Sequence, residues 1–286
     1  MTLDNLEQDC YRRLGFNTSS VDTATQTRIR AYLNETQQAI LSEPGMAALL
    51  NGTLTFASVA DTPQYALPQA AARVKYLYET TNDRRLVERS LEWYRTVLPD
   101  TVANTGTPTY WVDMGFSSIS TQPSAATEVF VDSTSAGDVM VAYMEGYRTG
   151  GYYKEESVAL TGTTGVSLNT NFADYVFITK FYLASAPLGT VTLQTTAAGG
   201  TELARIPVGQ TYARYRRIAL VPTPAGAVTY TVDFDWDAQD MSIANDEPII
   251  PPRFHRLLAM GARMKEYEKQ KDTRYRVAKD EYEHVV

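Results

Sequence analysis

Four aspartates crowd one short stretch, Asp233, Asp235, Asp237 and Asp240, the first three in a D-x-D-x-D run. A calcium loop opens in this way, because carboxylates at alternate positions converge on one ion. The remainder of such a loop is missing: Ala238 stands where the sharp turn takes glycine, and Ala244 where a glutamate would close the site. The same alternation describes a strand with Phe234 and Trp236 facing inward and the acids outward. Residue types alone leave open whether Asp233, Asp235 and Asp237 hold an ion. A basic cluster, Arg214, Arg216 and Arg217 with Tyr212 and Tyr215 interleaved, has the chemistry to bind a phosphate or stack on a base. On an acidic chain it lacks the extended basic surface of a nucleic-acid binder and reads more simply as charges paired along a strand, as do Arg84 and Arg85 beside Asp83. The two histidines, His255 and His284, are too far apart on one helix to share a metal. No nucleophile elbow, phosphate-binding loop or dinucleotide fingerprint occurs. No catalytic residue, metal or cofactor is therefore expected, and the chain is read as no enzyme.

The chain has 286 residues, 44% of them hydrophobic and 21% charged, with a net charge of -7. This suits one large or two modest folded domains and argues against general nucleic-acid binding. The single cysteine, Cys10, excludes an internal disulfide and lies in line with Leu6 and Leu14 as a small buried residue. The opening Met1–Glu7 segment has neither a basic nor an apolar region of a secretory signal, and no stretch is apolar enough to span a membrane.

These groups must be positioned by an α+β chain. Leu3, Leu6, Cys10 and Leu14 predict a short helix closed by Gly15, and a longer one starts near Asp22, carries Ile29, Leu33, Thr36 and Ile40 on one face, and stops at Pro44-Gly45. Val74, Tyr76 and Tyr78 alternate as a strand, Asn82-Asp83 supplies a turn, and Leu86-Val87 returns. Ser90 caps a short helix through Leu91, Tyr94 and Leu98, ended by Pro99. Strands follow at Tyr110–Val112, Glu128–Val131 and Val139–Tyr143. Residues 157–237 are rich in Thr, Gly, Val and Ala, with strands at Tyr175–Ile178, Val191–Leu193, Arg217–Val221 and Tyr230–Trp236; they predict an inserted antiparallel β-sandwich, Ig-like or jelly-roll. The remainder, 1–156 and 238–286, forms one body of helices, hairpin and small sheet. From Pro251 to Val286 the pattern predicts one long, charge-dense helix whose narrow apolar stripe runs through Leu257, Met260, Met264 and Tyr267 to Tyr275, Ala278 and Tyr282. Such a helix docks on another body more readily than it fills a core.

The order of these pieces resembles the head-to-tail adaptor (connector, or head-completion) proteins of tailed bacteriophages. The similarity is carried by Leu14-Gly15-Phe16, Phe56-Ala57-Ser58, Tyr65-Ala66-Leu67-Pro68, the hairpin through Arg73–Tyr78, the Ser90-Leu91-Glu92-Trp93 helix entry, Gly106–Tyr110, and the lead Asp246–Leu258 into the last helix. It covers about two-thirds of the chain, everything outside 157–237. The resemblance implies a structural virion protein at the head–tail interface, assembled in the host cytoplasm. It would form a ring of about twelve copies beneath the portal protein, extend the DNA channel without specific DNA binding, and present a platform for a downstream tail or nozzle protein. Phe254, Leu257, Met260, Met264, Tyr267, Tyr275 and Tyr282 would then meet the portal or a neighbouring copy. Two rival readings stand beside it. One is a carbohydrate- or protein-binding module built on the sandwich, with Trp236, Tyr212 and Tyr215 as platform; the other is an enzyme using Asp233, Asp235 or Asp237.

Overall fold

The computed structural model describes residues 1–43, 45–69, 71–97, 104–169, 173–238 and 240–284. In chain order, helices α1 (Leu3–Leu14) and α2 (Thr23–Leu41) precede strands β1 (Asn51–Ala57), β2 (Gln64–Ala66), β3 (Ala71–Glu79), β4 (Arg84–Arg85) and β5 (Val87–Arg89). Helix α3 (Leu91–Val97) leads to β6 (Thr105–Gly106), β7 (Tyr110–Ser117), β8 (Phe130–Ser133), β9 (Val141–Arg148) and β10 (Tyr153–Ala159). Then come β11 (Val166–Ser167), β12 (Tyr175–Leu183), β13 (Val191–Gln194), β14 (Glu202–Ile206), β15 (Tyr215–Val221), β16 (Thr223–Pro224) and β17 (Thr229–Trp236). Helices α4 (His255–Gln270) and α5 (Tyr275–Glu283) follow. The chain is α+β and divides into a helical unit, Met1–Asn51 with Asp237–Val286, and a β unit, Gly52–Trp236.

The helical unit is framed by the capping signals in its sequence. The Asp22 carboxylate accepts from the Thr25 backbone N–H at 2.9 Å and from its hydroxyl at 2.7 Å, an N-cap worth about 1 kcal/mol. Gly15 ends α1 in the left-handed region at φ 78, where a side chain would be strained. Leu3, Leu6 and Cys10 from α1, Ile29 and Leu33 from α2, and Leu257, Leu258 and Ala262 from α4 close one core. Asn34 ties in the chain before α4 as a strand partner would: its amide nitrogen donates to Met241 O at 3.1 Å and its oxygen accepts from Met241 N at 3.0 Å.

The single terminal helix expected from the sequence is in fact two. Lys271 takes a left-handed conformation, φ 54, and the N–H groups of Lys271 and Asp272 close back on the Glu268 and Tyr267 carbonyls. After this stop α5 packs on α4. Gly261 of α4 allows the approach, since a Cβ there would stand 3.1 Å from the Tyr282 ring and closer still to Thr36. Arg263 pairs with Glu281 across the two helices.

In the β unit, sheets β1-β17-β3-β4 and β2-β15-β7-β5 share a core of Leu77, Trp111, Ile218, Leu220, Val232 and Phe234. Sheets β10-β9-β12 and β11-β8-β13-β14 enclose a second core around Val131, Met144, Ile178, Phe181 and Leu193. The boundaries therefore differ from the 157–237 insert read in the sequence. Strand β12 pairs with β9, β13 with β8, β15 with β7 and β17 with β3, so each draws its partner from before residue 157. Composition marks where strands are; it does not carry which distant strand completes each ladder.

Candidate functional site

The residues expected to meet a partner lie along α4 and α5, and the unit's own core takes them. Leu257, Met260 and Tyr267 are buried, while Phe254, Met264, Tyr275 and Tyr282 are partly buried against the same cluster. The stripe is real, and α1, α2 and the folded-back α5 pack against it, taking Leu257, Met260 and Tyr267 into the unit's own core and leaving Phe254, Met264, Tyr275 and Tyr282 partly exposed. Polar anchors fix this arrangement: Arg28 forks onto the buried Glu266, Arg30 reaches Glu7 at 2.8 Å, and Lys265 reaches Glu35 at 2.6 Å. His255 is buried, with Nε2 2.9 Å from Ile250 O and Nδ1 3.1 Å from the Met1 amino group; burial lowers its pKa. His284 lies at the end of α5, exposed. What this unit leaves to solvent on α5 is the side carrying Arg276, Val277, Asp280 and Glu283.

The aspartates do not converge. Asp233 accepts from the Thr53 hydroxyl at 2.8 Å and Asp235 pairs with Lys75 at 2.5 Å, both within the β unit. Asp240 belongs to the helical unit, where it accepts from Gln38 at 2.9 Å. Among the described residues no group of three His, Cys, Asp or Glu side chains is placed to hold a metal. Phe234 is buried and packs edge-on to Trp236, ring centroids 4.6 Å apart, as a strand with inward aromatics requires.

The arginine cluster is a local structure as well. Arg216 pairs with Asp113, and the guanidinium carbons of Arg214 and Arg216 stand 3.7 and 4.6 Å from the Phe116 ring centroid. Arg217 is half-buried, and that burial lowers its pKa. The aromatic platform anticipated from Trp236, Tyr212 and Tyr215 is not assembled. Tyr215 is buried with its hydroxyl accepting from Arg205 N at 2.7 Å, Trp236 is half-buried, and of the three only Tyr212 is exposed.

A different aromatic surface does assemble, one that sequence reading missed. Strands β9 and β10 form a hairpin around Gly150 and Gly151, both at positive φ, with Tyr147 opposite Tyr153, Glu145 opposite Glu155 and Tyr143 opposite Ser157. On the other side β12 sets Phe177 against Tyr147, Lys180 against Glu145 and Tyr182 against Tyr143. The outer face of this sheet thus carries three rows: aromatic, charged, aromatic. Tyr143 and Tyr182 stack at 4.9 Å with planes 9° apart, and Tyr147 meets Tyr153 edge-on at 5.4 Å. The inner face holds Ala142, Met144 and Gly146 in the core, and a Cβ on Gly146 would stand 2.5 Å from the Phe177 carbonyl oxygen. The available signal was the pair of alternations Tyr143, Glu145, Tyr147 and Tyr153, Glu155, Ser157 on either side of two glycines.

Compared with known proteins, the chain matches no family model, and no curated protein sequence is similar to it.

Proposed function

We propose that this protein is a structural, non-enzymatic adaptor of the tailed-phage neck, forming a ring beneath the portal that continues the DNA channel and seats the next tail component. The observation that carries the reading is the order of its elements. Two helices, a strand bearing Phe56, the β3–β4 hairpin, α3 capped by Ser90 and the strand from Tyr110 follow in the order of the resembling segments. The Asp246–Leu258 lead supports it further, because its residues build the helical unit. Asp246 accepts from Ser242 N at 2.6 Å and from Ile243 N at 2.9 Å, its carbonyl accepts from Leu3 N at 2.7 Å, and Ile250 and His255 are buried.

A closed ring needs each copy to offer one surface to the next and a different one to receive it. Since Leu257, Met260 and Tyr267 serve the unit's own core, the contact with portal or neighbour is assigned to the solvent side of α5, around Arg276, Val277 and Asp280. A net charge of -7 suits a channel that lets DNA slide without holding its phosphates. Truncation after Met264 is a poor test, because it also removes the buried Glu266 and Tyr267. The better one is a tagged full-length chain beside Val277→Asp and Arg276→Glu, produced in the natural producing cell, with retained assemblies weighed intact and imaged. The expected result is a ring of about twelve copies on a portal-like partner, lost in the two variants while their folded mass and helix signal are kept. Recovery of the unaltered protein only as a single chain would refute the reading.

A further inference from the structure

We infer that the outer face of the β10-β9-β12 sheet is a binding site for a neutral glycan, an inference that stands independently of the ring reading. Its first support is exposure. Tyr147, Tyr153 and Phe177 are 40%, 54% and 47% exposed and lie side by side across three strands, a contiguous patch rather than scattered exposed rings.

The second support is rigidity. The Tyr153 hydroxyl donates to Glu145, the Tyr182 hydroxyl donates to Glu155 at 3.2 Å, and Lys180 lies 2.9 Å from Glu145. Rings held by their hydroxyls on a paired sheet lose little freedom when a ligand settles on them.

The third support is the kind of hydrogen bonding on offer. The Tyr153 and Tyr182 hydroxyls already donate to Glu145 and Glu155, so their oxygens and the Glu155 carboxylate offer acceptors, beside the Lys180 ammonium and the Tyr143 and Tyr147 hydroxyls as donors. Lys180 neutralises Glu145, and among the described residues Glu155 has no cationic partner, so the face carries about one surplus negative charge. A polyanion is repelled there. A proline-rich peptide presents few N–H donors, so it would leave the Glu155 carboxylate and the Tyr153 and Tyr182 phenol oxygens without a partner. An added strand from a second copy would meet Lys154 and Glu156 along the β10 edge, charges that discourage edge pairing. A neutral pyranose fits on both counts: its C–H faces lie on the electron-rich faces of Tyr147 and Phe177, and its hydroxyls donate to the Glu155 carboxylate and the Tyr153 and Tyr182 phenol oxygens.

The test is native-gel retardation of the full-length protein in gels containing galactomannan, xyloglucan or dextran, with hyaluronan as the anionic control and decaproline titrated separately. At least one neutral polysaccharide is expected to retard the protein. The Tyr147→Ala/Phe177→Ala double variant should bind it at least about tenfold more weakly, and Tyr147→Phe should bind within about twofold of the original. Should the double variant fail to fold, Glu155→Lys, at an exposed position, is expected to weaken retardation by about threefold or more. Retardation by none of the three polysaccharides, retardation indifferent to both the ring and the Glu155 substitutions, or binding to decaproline or hyaluronan in their place would each overturn the proposal.

Discussion

Replacing Glu266 by glutamine, and separately Arg28 by alanine, should lower the stability of the helical unit while sparing the β unit. Glu266 is 1% exposed; its carboxylate takes two hydrogen bonds from Arg28, at 2.8 and 2.9 Å, and one from Gln270 at 2.8 Å. Burial alone would raise its pKa, but the Arg28 and Gln270 hydrogen bonds, with the Arg28 and Lys269 charges, outweigh it and hold the carboxyl below its ordinary value. Breaking a wholly buried pair costs about 3–5 kcal/mol. The Arg28 side chain keeps 24% of its surface in water, so the stranded guanidinium is partly rehydrated and Glu266→Gln is expected to cost about 2–3 kcal/mol. In a unit of this size that lowers Tm by about 10–20 °C. Arg28→Ala should cost more, because it strands the deeper group. The pH dependence follows from the same geometry. A depressed folded-state pKa contributes stability that is complete above the unfolded value, about 4.3, and is lost as pH falls through the folded one. In Arg28→Ala the carboxyl keeps its burial without its partner, so its pKa moves above the unfolded value and the deficit against the unaltered protein narrows from pH 7 to about pH 4. Two probes read the two units in urea, because Trp93, Trp111 and Trp236 all lie in the β unit while all the helices but the short α3 lie in the other. The far-ultraviolet helix signal should shift and the tryptophan fluorescence should not. A shift of the helical transition below about 0.5 kcal/mol in either variant, or a smaller cost for Arg28→Ala than for Glu266→Gln, would refute the reasoning.

Two further outcomes follow from buried groups. Cys10 is fully buried, and burial followed by the neighbouring Asp9 charge pushes its thiol pKa up, so iodoacetamide at pH 8 should leave the native protein unmodified and label it once in urea, read by intact mass. Asp138, also fully buried, accepts from Ser133 Oγ at 2.6 Å, Leu188 N at 2.8 Å and Gly189 N at 3.0 Å, so Asp138→Ala strands two backbone donors and should cost the β unit about 2–4 kcal/mol in urea unfolding, read by tryptophan fluorescence, with the helix signal moved by no more than the share of α3.

Where the chain was legible, a local rule decided the structure. Asp22, Gly15 and Ser90 act within a turn of themselves, so the helix ends they mark stand where the sequence puts them. The break between α4 and α5 had no such mark: Lys271-Asp272-Thr273-Arg274 contains neither glycine nor proline, and Lys271 enters the left-handed region because α5 gains a face of α4 to cover, a tertiary effect. The same limit governs the stripe of seven residues. Period reports that one face of a helix is buried; it is silent on whether the cover comes from α1, α2 and α5 or from another chain. The aromatic sheet face was hidden by a backbone detail. Strict alternation puts Tyr175 and Phe177 on one side of β12, yet register shifts between Tyr175 and Phe177 and between Ile178 and Lys180 bury the first ring and expose the second. Bulges of this kind follow from the partner strand rather than from the residues they re-aim, so a surface assembled across three strands becomes visible only once the ladder that aligns them is known. The prediction for Phe177 therefore rests on register, and a sequence-identical β12 without its two bulges would lose the outer row with it.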